Sequence, residues 1–186
     1  MQERENILRI FQETKKAVSR GDSGAVRNLS NQTNNTAALT NDPDNIATAV
    51  IVYALSKVVE REDYKKLPGW NMFYGIYIRA IDRIIVALKK EDYTAFREDI
   101  KLIRGAIEKL SGKLKEYIQD VFRKASINKA SKLYEHGISM ETTAKLLGIT
   151  LFELANYAGQ KDFTGAPKMK TIDIKARIKL TEDFFR

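Results

Sequence analysis

His136 is the only histidine in the chain and cysteine is absent. The side chains that most often bind zinc, act as thiolate nucleophiles or carry protons near neutral pH are therefore almost missing. Disulfides and cysteine-held iron-sulfur clusters are excluded as well, which fits a reducing compartment. His136 precedes Gly137 at an expected helix end, where an imidazolium complements the helix dipole, and that placement explains it better than catalysis does. Carboxylates are what remains. Glu60/Glu62/Asp63, Glu91/Asp92 and Glu98/Asp99 could hold a divalent cation and make a carboxylate-dependent metal enzyme. Each cluster, however, falls at an expected helix end or on an expected polar face, where solvated carboxylates are the commoner arrangement. No His-x-x-x-His pair, Gly-rich phosphate loop or Gly-x-Ser-x-Gly elbow occurs. The sequence reads as non-enzymatic, with no catalytic, cofactor-binding or metal-binding residue to assign and no cofactor implied.

Charge points instead to binding. The formal net charge is +8, and it is unevenly placed. Residues 1–100 hold 15 Lys/Arg against 14 Asp/Glu, a net of +1, and residues 101–186 hold 17 against 10, a net of +7. A cationic C-terminal half attracts nucleic acid or an acidic protein face through its long-range field, although a solvated basic surface would give the same count.

Those residues must be positioned by helices, because apolar side chains recur at helical spacing almost from end to end and strand-like alternation bounded by hairpin turns is absent. Ile7, Ile10, Phe11, Ala17 and Val18 mark a first helix that Gly21-Asp22 should stop. A polar second helix is expected from Ser23, with Val26 and Leu29 inward and a fraying end at Asn31–Asn35. Asp42-Pro43-Asp44 supplies a cap and a helix-starting proline before an apolar stretch, Ile46 to Val59, suited to the centre of a bundle. Leu67-Pro68-Gly69 punctuates the next connection. Phe73, Ile76, Tyr77, Ala80, Ile81, Ile84, Ile85 and Leu88 then form the clearest amphipathic helix, and Trp70, Phe73, Tyr74 and Tyr77 read as an aromatic part of the core. Tyr93, Phe96, Ile100, Ile103, Ile107 and Leu110 form a seam, closed by Ser111-Gly112, and Leu114, Tyr117, Ile118, Val121 and Ala125 a further helix. No repeat of fixed period with signature residues is evident. The expected fold is all-α: a multi-helix bundle over residues 1–125, a small tri-helical module over 126–160, and a linker with a basic amphipathic helix over 161–186.

The module carries the most information. Residues 128–137, 138–149 and 150–159 read as three short helices. Gly137 suits a helix end, and Ser139 and Thr150 suit N-caps. Ala144 is small where two helices would cross, and Gly148 lacks a Cβ where a tight turn would form. Leu147, Ile149, Leu154 and Tyr157 would close a small core. This pattern resembles the helix-turn-helix superfamily over about residues 128–160. The runs Leu133–Ser139 and Ala144–Ile149 also resemble small prokaryotic antitoxin-like proteins, several of them archaeal, that accompany PIN-domain nucleases. In those a basic-apolar C-terminal helix follows, as Ile174–Leu180 does here. The resemblance covers well under half of the chain.

The expected outward face of the third helix offers Thr150, Leu151, Phe152, Glu153, Asn156 and Gln160, with no Lys or Arg until Lys161. Reading base edges usually takes Arg, Lys, Asn or Gln with further cations on phosphates. Such contacts would come from Lys129, Lys132, Lys145 and Lys161, and in the tail from Lys168, Lys170, Lys175, Arg177 and Lys179. Leu151 and Phe152 suit a protein groove better. The leading expectation is a regulatory or adaptor protein that binds a protein partner, on the resemblance a PIN-domain nuclease, through the module and the tail. A transcriptional regulator that binds duplex DNA is the alternative. The tail helix, Thr171 to Phe185, needs a surface to dock on, which its own bundle, a partner or a second copy in a homodimer could supply. The charged N-terminus does not read as a secretory signal and no apolar run reaches membrane-spanning length, so the expected address is the cytoplasm, away from membranes.

Overall fold

The protein is all-α. The structure, a computed structural model, describes residues 1, 3–40, 42–135, 139–147, 150–152 and 154–156. Among them are seven α-helices, α1 (Arg4–Ser19), α2 (Ser23–Thr40), α3 (Pro43–Glu60), α4 (Trp70–Lys89), α5 (Tyr93–Glu108), α6 (Gly112–Glu135) and α7 (Met140–Leu147), one 3-10 turn over Glu62–Lys66, and no strand. None of the described helices is long and apolar enough to cross a membrane.

α3 is the hub. Asp42 caps it by accepting a hydrogen bond from Asp44 N at 2.9 Å, and Pro43 occupies the first turn, where a missing N–H costs nothing. Its apolar residues occupy all sides, and α1, α2, α5, α6 and α7 pack around it. Two hydroxyls tie neighbours to its backbone: Ser30 Oγ of α2 donates to Ala49 O at 2.7 Å, and Tyr77 Oη of α4 donates to Ile51 O at 2.7 Å. Arg97 of α5 grips Asp44 through Nε and Nη2 at 3.0 and 2.8 Å, a fork that fixes the angle of α5 at the start of α3. The aromatic residues after Pro68 are core: Tyr77 lies edge-on to Phe73 and against Phe122 of α6, while Trp70 stacks on Tyr74. Gly69, at φ +88°, permits the turn before α4, and a Cβ there would meet Leu110 Cδ2 at 3.2 Å.

Three features differ from the sequence expectations. α2 runs through the Asn-rich stretch to Thr40 rather than fraying at Asn31, because Ser30 and Thr33 are buried against the neighbouring helices and their hydroxyls bond to backbone carbonyls. α6 is one continuous helix of 24 residues. The expected boundary near residue 125 falls inside it, so the first helix of the module is the last part of a bundle helix. Ala125, Ala130 and Leu133 continue the buried stripe begun by Leu114, Ile118 and Val121, which leaves no reason for a break.

The third difference is a duplication. The α1–α2 connection recurs 70 positions later between α4 and α5. Ala17 O accepts from Arg20 N and Asp22 N, and Ala87 O accepts from Lys90 N and Asp92 N. Asp22 Oδ1 accepts from Ala25 N at 2.8 Å, and Asp92 Oδ1 accepts from Ala95 N at 2.9 Å. Gly21 sits at φ +69° and its counterpart Glu91 at φ +60°. Each turn ends one helix in a left-handed residue and caps the next with an aspartate one residue on. The chain thus contains two helical hairpins joined by equivalent turns, which sequence patterning alone did not reveal.

Candidate partner-binding surface

The far end of α6, α7 and the helical residues 151–152 and 154–156 form the part of the module that the structure describes. Ser139 O accepts from Thr143 N at 2.9 Å and Thr150 O from Leu154 N at 3.2 Å, so both residues stand at the helix starts expected of them. Ala144 and Leu154 are buried in one core with Ala130 and Leu133 of α6, and α7 also touches α3. The module is therefore seated on the bundle. His136, Gly137, Gly148, Ile149 and Tyr157, and the side chain of Leu147, lie outside the described residues, as does the tail helix expected over residues 171–185.

Of the expected contact residues, Leu151 and Phe152 face solvent at 50% and 73% exposure, with Thr150 and Asn156 exposed beside them. Lys132 is half-buried on α6. Lys145 lies on α7, but its side chain is outside the described set. Gln160, Lys161, Lys168, Lys170, Lys175, Arg177 and Lys179 are outside it altogether.

Lys129 overturns its expectation. It is fully buried, with Nζ 4.5 Å from the centre of the Tyr53 ring and 3.2 Å from Asn31 Oδ1, between α6, α3 and α2. Burial, assisted by the nearby Lys132 charge, lowers its pKa to about 7. An ammonium held there does not reach a phosphate on a partner. The signal was present in the spacing: 129 lies four residues after Ala125 and four before Leu133, on the buried stripe of α6. It was lost because a helix starting near 128 sets a different phase.

Asp99 is the second correction. Expected on a polar face, it is 1% exposed on the α4-facing side of α5, three residues after the buried Phe96. Arg83 Nε stands 3.0 Å from its Oδ1. Burial raises its pKa, opposed by the Arg83 charge and assisted by Glu98. The other carboxylate clusters are solvated: Glu62 and Asp63 pair with Lys65 and Lys66, and Asp92 serves as a cap. Among the described residues no three His, Cys, Asp or Glu side chains converge to hold a metal ion.

Comparison of the chain with protein-family models, with curated proteins and with solved structures gives no significant match. The class of protein defined by the fold is an all-α helical bundle, in which α7 packs on α6 and α3.

Proposed function

We propose that this chain is a non-enzymatic adaptor or regulator whose C-terminal module docks on a protein partner of nuclease type. The exposure of Leu151 and Phe152 carries this reading. Leu154, two residues on, is fully buried and Ala144 nearly so. The module thus has its own apolar anchor in the core and still turns two large apolar side chains to water. Large exposed apolar pairs beside polar neighbours are what protein interfaces use at their centres. The +7 of residues 101–186 supplies steering toward an acidic face rather than the contact itself. The antitoxin-like run 133–149 supports a PIN-domain nuclease as that partner. Readout of duplex DNA gains less support, since residues 150–152 and 154–156 contain no Lys or Arg and Lys129 is withdrawn into the fold.

The test is co-expression of the chain with PIN-domain nucleases from its own cell, followed by co-purification. A stable complex that is lost on Phe152→Glu is expected. Failure to bind any such nuclease, together with tight duplex-DNA binding that falls steeply with salt, would replace this reading with a DNA-binding regulator.

A further inference from the structure

The two hairpins with equivalent turns permit a comparison within one molecule. Shifting by 70 positions pairs Asp82 with Gln12, Arg83 with Glu13, Val86 with Lys16 and Asp99 with Leu29. Around the turns the two copies agree, with Ala17/Ala87, Asp22/Asp92, Ala25/Ala95 and Arg27/Arg97 identical. In the groove between the paired helices they diverge. At the position of Asp99 the first hairpin carries Leu29, a buried core residue. The second puts the carboxylate of Asp99 there, 1% exposed, at the side of a groove of about 370 Å³ between α4 and α5. It also turns Val86 outward at 51% exposure, where the first hairpin exposes Lys16. The second hairpin carries instead a buried anion beside an exposed apolar wall.

The anion is incompletely served. Asp99 Oδ1 is buried and receives no hydrogen bond of good geometry, although Arg83 Nε is 3.0 Å away. The Arg83 side chain is 63% exposed, so it lies across the opening rather than sealed with its partner. Of the other acids of the groove, Asp92 caps α5, and Asp82 Oδ1 pairs with Lys15 of α1 at 2.5 Å while, like Asp99 Oδ1, receiving no hydrogen bond of good geometry. A buried carboxylate is costly unless it is both paired and hydrogen-bonded. The raised pKa of Asp99 says the same thing, since the attraction of Arg83 does not offset desolvation.

We infer that the α4–α5 groove is a binding site for a small aliphatic amine or guanidine, whose cation displaces Arg83 from Asp99 and whose carbon stem lies along Val86 and Ala87. An N–H donor on such a ligand can approach Oδ1 in line, which the Arg83 Nε in its present pose does not do. The volume suits a ligand of a few heavy atoms with one polar anchor.

Isothermal titration of the full chain with agmatine, and separately with N-acetylarginine methylamide, tests this. Saturable agmatine binding is expected. Asp99→Leu, which copies the residue of the first hairpin, should abolish it without unfolding the protein, and Asp99→Asn provides the same readout should leucine perturb packing. Arg83→Gln should tighten agmatine binding severalfold by removing the competing cation. Glu98→Gln, on the exposed side of the same turn of α5, should change binding far less than either Asp99 substitution. Absence of saturable agmatine binding, or binding that survives both Asp99 substitutions, overturns the inference. Binding of the arginine amide without agmatine overturns it too, because the groove would then take a partner's side chain.

Discussion

Lys129 Nζ lies 4.5 Å above the ring of Tyr53, joining α6 to α3 through a cation and a π-face inside the core. Asn31 of α2 supplies an acceptor, its Oδ1 at 3.2 Å. The ring and the amide compensate the charge only in part, and the pKa falls from the ordinary 10.5 to about 7. The unfolded chain keeps the ordinary value, so below pH 7 both states carry the proton and the penalty of burying it is constant. Between about 7 and 10.5 the unfolded state holds more protons than the folded one. Stability should therefore rise with pH across that window, with a slope approaching about 1.4 kcal/mol per pH unit from this group. Urea denaturation at several pH values, for wild type and Lys129→Met, isolates it. The Met variant should be the more stable at pH 6 and should lose that advantage as pH climbs. Parallel curves for the two proteins would show that the ammonium is not desolvated.

The duplicated turns make a second prediction, in which backbone strain is separated from crowding. Glu91 holds φ +60° with a side chain, a conformation that costs about 1–2 kcal/mol for an L-residue other than Gly, Asn or Asp. Gly21 takes the same conformation in the first hairpin, and a Cβ added there meets nothing within 4 Å. Gly21→Ala should therefore destabilise by about 1 kcal/mol through φ alone. Glu91→Gly should stabilise by a smaller amount, about 0.5 kcal/mol, because glycine also raises the entropy of the unfolded chain. Thermal melts of the two variants check the signs, and equal signs would mean that the turns are not equivalent.

What could be read from the sequence follows from what patterning measures. Helix number and order through α5, the cap at Asp42-Pro43, the central place of α3 and the aromatic core after Pro68 were legible, because each depends on local spacing or on residues with fixed backbone preferences. The phase of α6 was not. Ser126, Ile127 and Asn128 read as a break before a new helix, whereas Ala125, Ala130 and Leu133 are all buried along one continuous α6. The same error misplaced Lys129 as a surface cation. The duplication was hidden because the residues shared around its turns are only an alanine, an aspartate, an alanine and an arginine, while Gly21 and Glu91 disguise a common backbone. Asp99 was hidden by Glu98, whose neighbouring charge suggested a polar face although Glu98 is exposed and Asp99, about a third of a turn on, is buried. In the C-terminal module, the outward Leu151 and Phe152 and the inward Leu154 were legible from helical phase once Thr150 was taken as the start.

Tyr77 tests how the bundle is held at its hub. The side chain is fully buried, and its hydroxyl donates to Ile51 O at 2.7 Å, linking α4 to the middle of α3. Burial without a neighbouring positive charge pushes the phenol well above its ordinary pKa, so it remains a donor at any pH the protein survives. Tyr77→Phe keeps the ring contacts with Phe73 and Phe122 and removes one hydrogen bond, for an expected loss of about 1 kcal/mol. Tyr77→Ala also empties the ring volume and should cost about 3–5 kcal/mol. A Phe variant as unstable as the Ala variant would mean that the hydroxyl, rather than packing, orders the hub.

The exposed pair on the module separates stability from binding. Phe152 is 73% exposed and Leu151 50% exposed, so neither contributes much burial to the folded chain. Substitution of surface residues away from caps and networks usually changes stability by no more than about 0.5 kcal/mol. Phe152→Glu should therefore melt within a degree or two of wild type, whereas Leu154→Ala, at a fully buried position one helical turn from Thr150, should destabilise by about 2–4 kcal/mol. In a binding assay with the nuclease partner the order reverses. Phe152→Glu puts a charge into what the partner would have to desolvate and should lose the complex, and Lys132→Ala, at the rim, should mainly slow association at low salt. If Phe152→Glu binds as well as wild type while Leu154→Ala fails only in proportion to its unfolding, the apolar pair is surface of no consequence and the partner engages another face of the molecule.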